Sequence, residues 1–301
     1  MQASTMRSPI PAIDAHLVRN MVDRQFPEWM ALPVRPVERG GWDNRSFHLG
    51  DEMVVRLPSA AEYAEQVHKE HRWLPHLAPA VPFLVPRPLA LGEPMFGYPW
   101  PWSIYSWIAG EPATLGRIAD LPEFAADLAR FLVALQSVDA AGGPPPGAHN
   151  FHRGGSLAVC DPEVRRSISI LGAAIDVAGV TATWAEALDS AFDGPVVWVH
   201  GDIAPGNLLT QHGRLAGVID FGSLAVGDPA CDLSIAWTFL HGDGRDAFLS
   251  GCGADHGTVA RARGWTLWKG LIVAAELVET NAVEWERPLQ TIESMLNEVQ
   301  H

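Results

Sequence analysis

The sequence predicts an α+β chain in which a small β-rich N-terminal lobe precedes a larger, mainly helical C-terminal lobe. Three observations carry this expectation. Apolar and polar residues alternate from Pro33 to Pro58 around two glycine-bearing turns, the period of half-buried strands. After Gly110 and Pro112 the apolar period lengthens to that of helices. Late in the chain, two short β-rich runs, "VVWVHGD" and "LAGVIDFG", each bring an aspartate to a strand end.

In the first part, Gly50-Asp51 marks a hairpin and Gly40-Gly41 a more open loop, which gives two or three antiparallel strands. Residues 60–77 place Tyr63, Val67, Trp73, Leu74 and Leu77 among charges at helical spacing, with Pro75 disturbing the last turn. The aromatic run "WSIYSWI" from Trp102 returns to strand character. Helical periodicity then covers 121–138, 161–178 and 181–192, interrupted by the proline- and glycine-rich loop "DAAGGPPPGAHNFHRGG". Helices at 229–241, 256–280 and 285–298 complete the larger lobe. The division falls between residues 1–108 and 109–301, and a cleft between the lobes is the expected place for a ligand.

Composition narrows the function. With 301 residues, 48% of them hydrophobic and 19% charged, the chain reads as globular with a substantial core. The formal net charge of −14 leaves no basic footprint for nucleic acid. Such a surplus either keeps a protein soluble or draws in a cationic small molecule. Cys160, Cys231 and Cys252 are odd in number and form no CxxC pair, which argues for a reducing cytoplasm over a disulfide scaffold. Apolar runs fall well short of a membrane span of about 20 residues, and Arg7, Asp14 and Arg19 interrupt any signal-peptide core. A soluble cytoplasmic protein without membrane partners is expected.

The chemistry concentrates in "HGDIAPGN" and "IDFGSLAVGDPACDL". Burying a carboxylate costs several kcal/mol unless it is paired, hydrogen-bonded or on a metal, so Asp202 and Asp220 among apolar neighbours need a reason. Alone, Asp202 could be a cap or loop anchor. Asn207 follows it by five residues and Asp220 by 18. At these spacings one carboxylate can orient a hydroxyl, while the Asn and the second carboxylate complete a site for Mg²⁺, which takes hard oxygen ligands. This is what phosphoryl transfer requires.

These runs resemble the aminoglycoside phosphotransferase family, whose members share the protein-kinase-like fold; Asp202 to Asn207 and Asp220-Phe221-Gly222 repeat the kinase spacings. His200-Gly201 replaces the protein-kinase His-Arg pair and looks like the small-molecule version. The resemblance implies a catalytic role for Asp202, Mg²⁺ roles for Asn207 and Asp220, and structural support from His200, Asp228 and Asp232. Little sequence separates Gly222 from "GDP", which favours a small-molecule acceptor over a protein.

The resemblance extends, less specifically, to the N-terminal lobe. Arg56 takes the place of the usual strand Lys for nucleotide phosphates, with Glu70 as its helical partner, Glu65 as the alternative, and a solvent-facing Glu70 as the plain reading. Gly41, Asn44 and Ser46 lie in the segment expected to cover the phosphates. Ser103 and Tyr105 lie where a nucleotide base would meet the connection between lobes, unless the aromatic residues there are simply core. Asp243, Asp246, Glu276 and Glu279 are candidate contacts for a cationic acceptor, with plain exposure as the alternative. His68, His71 and His76 form no closed zinc pattern.

Together these imply an ATP- or GTP-dependent O-phosphotransferase acting on a hydroxyl-bearing small molecule. An aminoglycoside comes first, and with it antibiotic resistance. A metabolic alcohol or sugar kinase, a macrolide kinase and an inactive kinase-like binding protein are the alternatives.

Overall fold

Alternate residues of the N-terminal sheet serve two different helices. The computed structural model describes residues 11–38, 43–278 and 287–297. The chain divides into two units, Met1–Pro75 with Pro86–Ile108, and His76–Val85 with Ala109–His301. In the first unit, β1 (Val34–Pro36), β2 (Asn44–Leu49), β3 (Met53–Pro58), β5 (Trp102–Ser106) and β4 (Pro88–Gly92) form an antiparallel sheet in that spatial order. Gly50, at φ +65°, opens the tight connection from β2 to β3, as the hairpin signal required.

One face of this sheet carries Phe47, Leu49, Val55, Leu57, Trp102 and Ile104, which pack in a single core with Leu17, Val18, Met21 and Val22. Those four residues belong to α1 (Ala15–Gln25), whose first turn is capped by Asp14 accepting from the Leu17 amide at 2.8 Å. Each such side chain, fully buried, stabilises the unit by about 1.5–3 kcal/mol before the entropy of ordering it. Charges interrupt the short apolar stripe of this helix, which hides its period in the sequence.

The opposite face presents Ser46, Arg56, Ser103 and Tyr105 in cross-strand register, and α2 (Ala64–Leu77) covers it with Glu70 and His71. Pro75 falls within the last turn of α2. The segment that follows belongs to the second unit, where Leu84 accepts from the Val218 amide at 2.9 Å.

In the second unit, β6 (Glu111–Pro112), β8 (Leu208–Gln211) and β9 (Arg214–Val218) form one antiparallel sheet, and β7 (Val197–Val199) pairs with β10 (Ala225–Gly227). Around them lie α3 (Leu121–Gln136), α4 (Asp161–Leu171), α5 (Val177–Asp189), α6 (Ile235–Thr238), α7 (Gly242–Gly251), α8 (His256–Ala274) and α9 (Pro288–Asn297). α8 is apolar on most sides, burying Ala260, Trp265, Leu267, Trp268 and Leu271, and it packs against α4, α5 and α9. No helix among the described residues is long and apolar enough to cross a membrane.

Several expected helices differ in extent. The periodicity over 161–178 spans two helices, because Gly172 turns left-handed at φ +49° and Asp176 then caps α5 through the Gly179 amide. The expected helix at 229–241 is a tight turn over Pro229–Ser234 followed by the single turn of α6. The glycine-rich sequence of α7 hid a helix that packs Gly244 against Leu121 and buries Phe248. The expected helix at 256–280 stops at Ala274, where the Leu277 amide reaches back to Ile272 and Glu276 adopts φ +54°. Of 285–298, the described part is helical from Pro288 to Asn297.

Candidate active site

The turn after β7 is fixed from beneath by a buried carboxylate. Asp232 is fully buried and accepts the His200 amide through Oδ2 and the Gly201 amide through Oδ1, both at 2.7 Å. Burial pushes its carboxyl pKa up, while the two amides and nearby His200 and Arg153 oppose that shift. Gly201 has φ +82°, and a Cβ there would lie 2.4 Å from the Ser223 carbonyl oxygen, so glycine is required twice over. The His200 ring is also held at both nitrogens. Nδ1 accepts from the Asp202 amide at 3.2 Å and Nε2 lies 3.1 Å from the Ile219 carbonyl, an arrangement that assigns the hydrogen to Nε2. Phe221 packs on the same ring at 4.6 Å.

Asp202 emerges from this braced turn partly exposed. Asn207 ends a short helical turn before β8 and returns its amide to the loop: Nδ2 donates to the Asp202 carbonyl and to Asp202 Oδ2, both at 2.9 Å. One carboxylate oxygen of Asp202, Oδ2, is thereby pinned. The backbone also ties Asn207 to the run before Asp220, since the Ile219 amide donates to the Asn207 carbonyl at 2.9 Å. Asp220 itself is left-handed, φ +69° and ψ +67°, a conformation costing roughly 1–3 kcal/mol in a non-glycine residue.

The donor set suits Mg²⁺. With both Nδ2 hydrogens spent on Asp202, the amide oxygen Oδ1 of Asn207 is its available ligand atom, and Asp220 adds a partly exposed carboxylate. Among the described residues no group of three or more His, Cys, Asp or Glu could hold a metal. Two protein oxygens with phosphate and water completing the shell is a habit of Mg²⁺ rather than of a closed protein cage.

Asp228 caps the turn that follows β10 through the Ala230 amide at 3.0 Å and meets Arg261 of α8, with Oδ2 to Nε at 2.7 Å and Oδ1 to Nη2 at 3.3 Å. Both partners are buried, and Arg261 also donates to the Ser190 carbonyl and lies 5.3 Å from the Phe192 ring centre. Arg261 is not among the candidates that the sequence offers. Arg263 and Lys269 lie in the same helix, so nothing in the local sequence sets Arg261 apart from them.

In the first unit, Arg56 Nη1 meets Glu70 Oε1 at 3.4 Å. Glu70 is 3% exposed and Glu65 is exposed, which distinguishes the two expected partners. Tyr105 Oη donates to Glu70 Oε2, and the Arg56 guanidinium lies 5.6 Å from the Tyr105 ring centre. Ser103 is buried against His71 Nε2. Ser103 and Tyr105 were expected at the connection where a base would bind. The structure places them inside β5 instead, paired with β3 on one side and β4 on the other, so their side chains serve the sheet face beneath α2. Asn44 is buried at the start of β2, and Ser46 pairs across the strands with Arg56. Gly41 lies outside the described residues.

Of the candidate acceptor residues, Asp243 and Asp246 are exposed on α7 and Glu276 is exposed beyond α8. Glu279 lies outside the described residues.

The two-unit α+β architecture, with its sheet-borne Arg–Glu pair and its Asp-Asn turn followed by Asp-Phe-Gly, is that of the protein-kinase-like fold. The chain belongs to the phosphotransferase enzyme family, whose model matches residues 34–270. The GDP complex of wild-type aminoglycoside 2'-phosphotransferase-IIIa is similar, with 18% identity, 95% of this chain and 99% of that chain covered, and a TM-score of 0.68. The macrolide 2'-phosphotransferase of Brachybacterium faecium gives 22% identity, 93% and 97% coverage and a TM-score of 0.60. An ADP-bound aminoglycoside phosphotransferase gives 17%, 94% and 99%, with a TM-score of 0.59. At these identities the likeness is one of fold. No curated protein matches the chain.

Proposed function

We propose that this protein is a nucleotide-dependent O-phosphotransferase that moves the γ-phosphate of ATP or GTP to a hydroxyl of a small molecule. The observation that carries the reading is the pinned Asp202 carboxylate, one oxygen held by Asn207 and the other left for an acceptor. The acceptor hydroxyl donates to Asp202 Oδ1, which fixes its oxygen for attack and takes its proton as the new bond to the γ-phosphorus forms and the bond from that phosphorus to the β-phosphate oxygen breaks, releasing ADP or GDP. Asn207 Oδ1 and Asp220 would hold Mg²⁺, which neutralises charge on the phosphates when bound. Arg56 would add a fixed positive charge on the nucleotide side.

An aminoglycoside is the first acceptor class, supported by the family and by the net charge of −14, which favours a polycation. The named relatives include a macrolide enzyme, and a neutral acceptor would use the same Asp202 chemistry. The test is an acceptor screen with Mg²⁺ and separately ATP or GTP, read by mass for one added phosphate. Phosphorylation of aminoglycosides, with kcat/KM falling as inert salt is added, supports the full reading. Preference for a neutral acceptor at every salt concentration removes the aminoglycoside and keeps the transfer. Failure to phosphorylate any acceptor despite nucleotide binding favours a binding protein.

A further inference from the structure

We infer that Tyr105 is a positioning residue for the nucleotide clamp: its hydroxyl and ring hold the Arg56–Glu70 pair in the geometry that receives the phosphates. The inference rests on the proposed phosphotransferase reading and names a component of that same site. Three observations carry it. Tyr105 Oη donates to Glu70 Oε2 while Arg56 takes Oε1, so the two carboxylate oxygens have separate partners. The Arg56 guanidinium lies 5.6 Å from the centre of the Tyr105 ring, within reach of its π face. And Tyr105 is itself buried, 1% exposed within β5, with β3 and β4 paired on either side.

The arrangement answers a difficulty posed by arginine at this position. An ammonium is a compact point charge that one carboxylate can hold, whereas a guanidinium is a plane whose orientation decides where its donors point. Glu70 engages it at 3.4 Å, a long contact that does not by itself fix the plane. A ring beside the plane and a second anchor on the carboxylate add constraints to that contact. Burial and the neighbouring Glu70 keep the Tyr105 phenol protonated far above neutral pH, so Oη remains a donor.

The closing experiment compares two buried tyrosines of the same unit. Tyr98 is also 1% exposed, and its Oη donates to the Pro58 carbonyl at 2.9 Å, away from the pair. Tyr105→Phe should raise the Kd of Mg²⁺-ATP or Mg²⁺-GTP about tenfold with the acceptor KM unchanged, as expected for losing a hydrogen bond to a charged group. Tyr98→Phe should lower thermal stability comparably and leave nucleotide Kd unchanged. Combining Tyr105→Phe with Glu70→Gln should give less than the product of the single effects. The chain's three tyrosines, Tyr63, Tyr98 and Tyr105, also permit a test without loss of the hydroxyl. In wild-type protein labelled at tyrosine Cζ, nucleotide should shift the Tyr105 resonance and leave that of Tyr98 in place. An unchanged nucleotide Kd in folded Tyr105→Phe, an equal effect in Tyr98→Phe, or a silent Tyr105 resonance overturns the inference. A wild type that binds no nucleotide overturns this and the proposed function together, whereas nucleotide binding without transfer counts against the transfer alone.

Discussion

The turn around Asp202 and the sheet face around Arg56 solve the same problem by different means. In the turn, polar side chains are held largely by backbone: Asp232 by two amides, His200 by an amide and a carbonyl, Asn207 by the Asp202 carbonyl as well as its carboxylate. On the sheet face the bonds run from side chain to side chain, Arg56 to Glu70 to Tyr105, across 14 and 35 residues of sequence. Backbone anchoring ties function to local sequence, and side-chain anchoring ties it to packing. The first arrangement should therefore fail abruptly when one atom changes, and the second should degrade by degrees.

The sharpest expected break is Asp202→Asn. The amide keeps the size of the carboxylate but cannot take the hydroxyl proton, so transfer should fall by about 10²–10⁴ while nucleotide Kd and unfolding midpoint hold. Single-turnover rates beside equilibrium nucleotide binding separate the two properties. Near-normal transfer by purified Asp202→Asn would remove the proposed role and the reason for treating this turn as the reacting one.

Asp232→Asn probes the brace beneath it. An amide offers one acceptor oxygen where the carboxylate offers two, and its NH₂ must face one of the His200 or Gly201 amides. A buried donor left unsatisfied costs about 1–3 kcal/mol, measurable as a shift in urea midpoint. The pH dependence has a definite sign. Because the folded carboxyl titrates above its unfolded value, the folded state binds more protons in the window just above the ordinary 3.8, and this group's contribution to stability falls as pH rises through it. Asp232→Asn should remove that slope, whereas a variant with wild-type midpoint and slope would show that the turn does not depend on the brace.

These contrasts also explain what could be read from sequence. Asp202, Asn207 and Asp220 fall within one hairpin and its flanking turns, so short spacings were enough to group them. Glu70 was reachable because helical periodicity put it on the helix following Arg56. Arg261, the partner of Asp228, and Tyr105, the second partner of Glu70, were not. Arg261 reaches Asp228 from 33 residues away and Tyr105 reaches Glu70 from 35, and neither distance obeys a helical or strand period. Tyr105 looked like part of a chain connection because aromatic alternation does not reveal which strands flank a strand. The helices α1 and α7 were hidden by charges and glycines, whose local preferences are outweighed by burial of Met21 and Phe248.

A gentler effect is expected at Arg56, where the sheet face should degrade by degrees. Arg56→Ala should weaken Mg²⁺-nucleotide binding about tenfold or more, and Arg56→Lys should recover part of it, since the charge returns without the planar fork. Isothermal titration with ATP and GTP reads both. Equal affinities for Ala and Lys variants would mean that the cation at this position does not meet the phosphates, and the contrast between the two regions would lose its functional side.

The smallest expected effect lies beside that pair. Lys69 and Lys269 are the two lysines of the chain, and burial pulls the Lys69 amine down from 10.5 to about 8, against the raising influence of Glu70 and Glu65. Between about 8 and 10.5 the unfolded chain therefore holds more protons on this residue than the folded one does, so its contribution to stability rises with pH across that window. Reductive methylation with ¹³C-formaldehyde gives each lysine a resonance that can be titrated, assigned by Lys269→Arg. Glu70→Gln removes a charge that favours the ammonium, so it should move the Lys69 midpoint lower still, while Glu186→Gln in the second unit should leave it alone. A Lys69 midpoint near 10.5 in the wild type would mean that this side chain is solvated, and one indifferent to Glu70→Gln would mean that the buried carboxylate of the pair exerts no field one residue away.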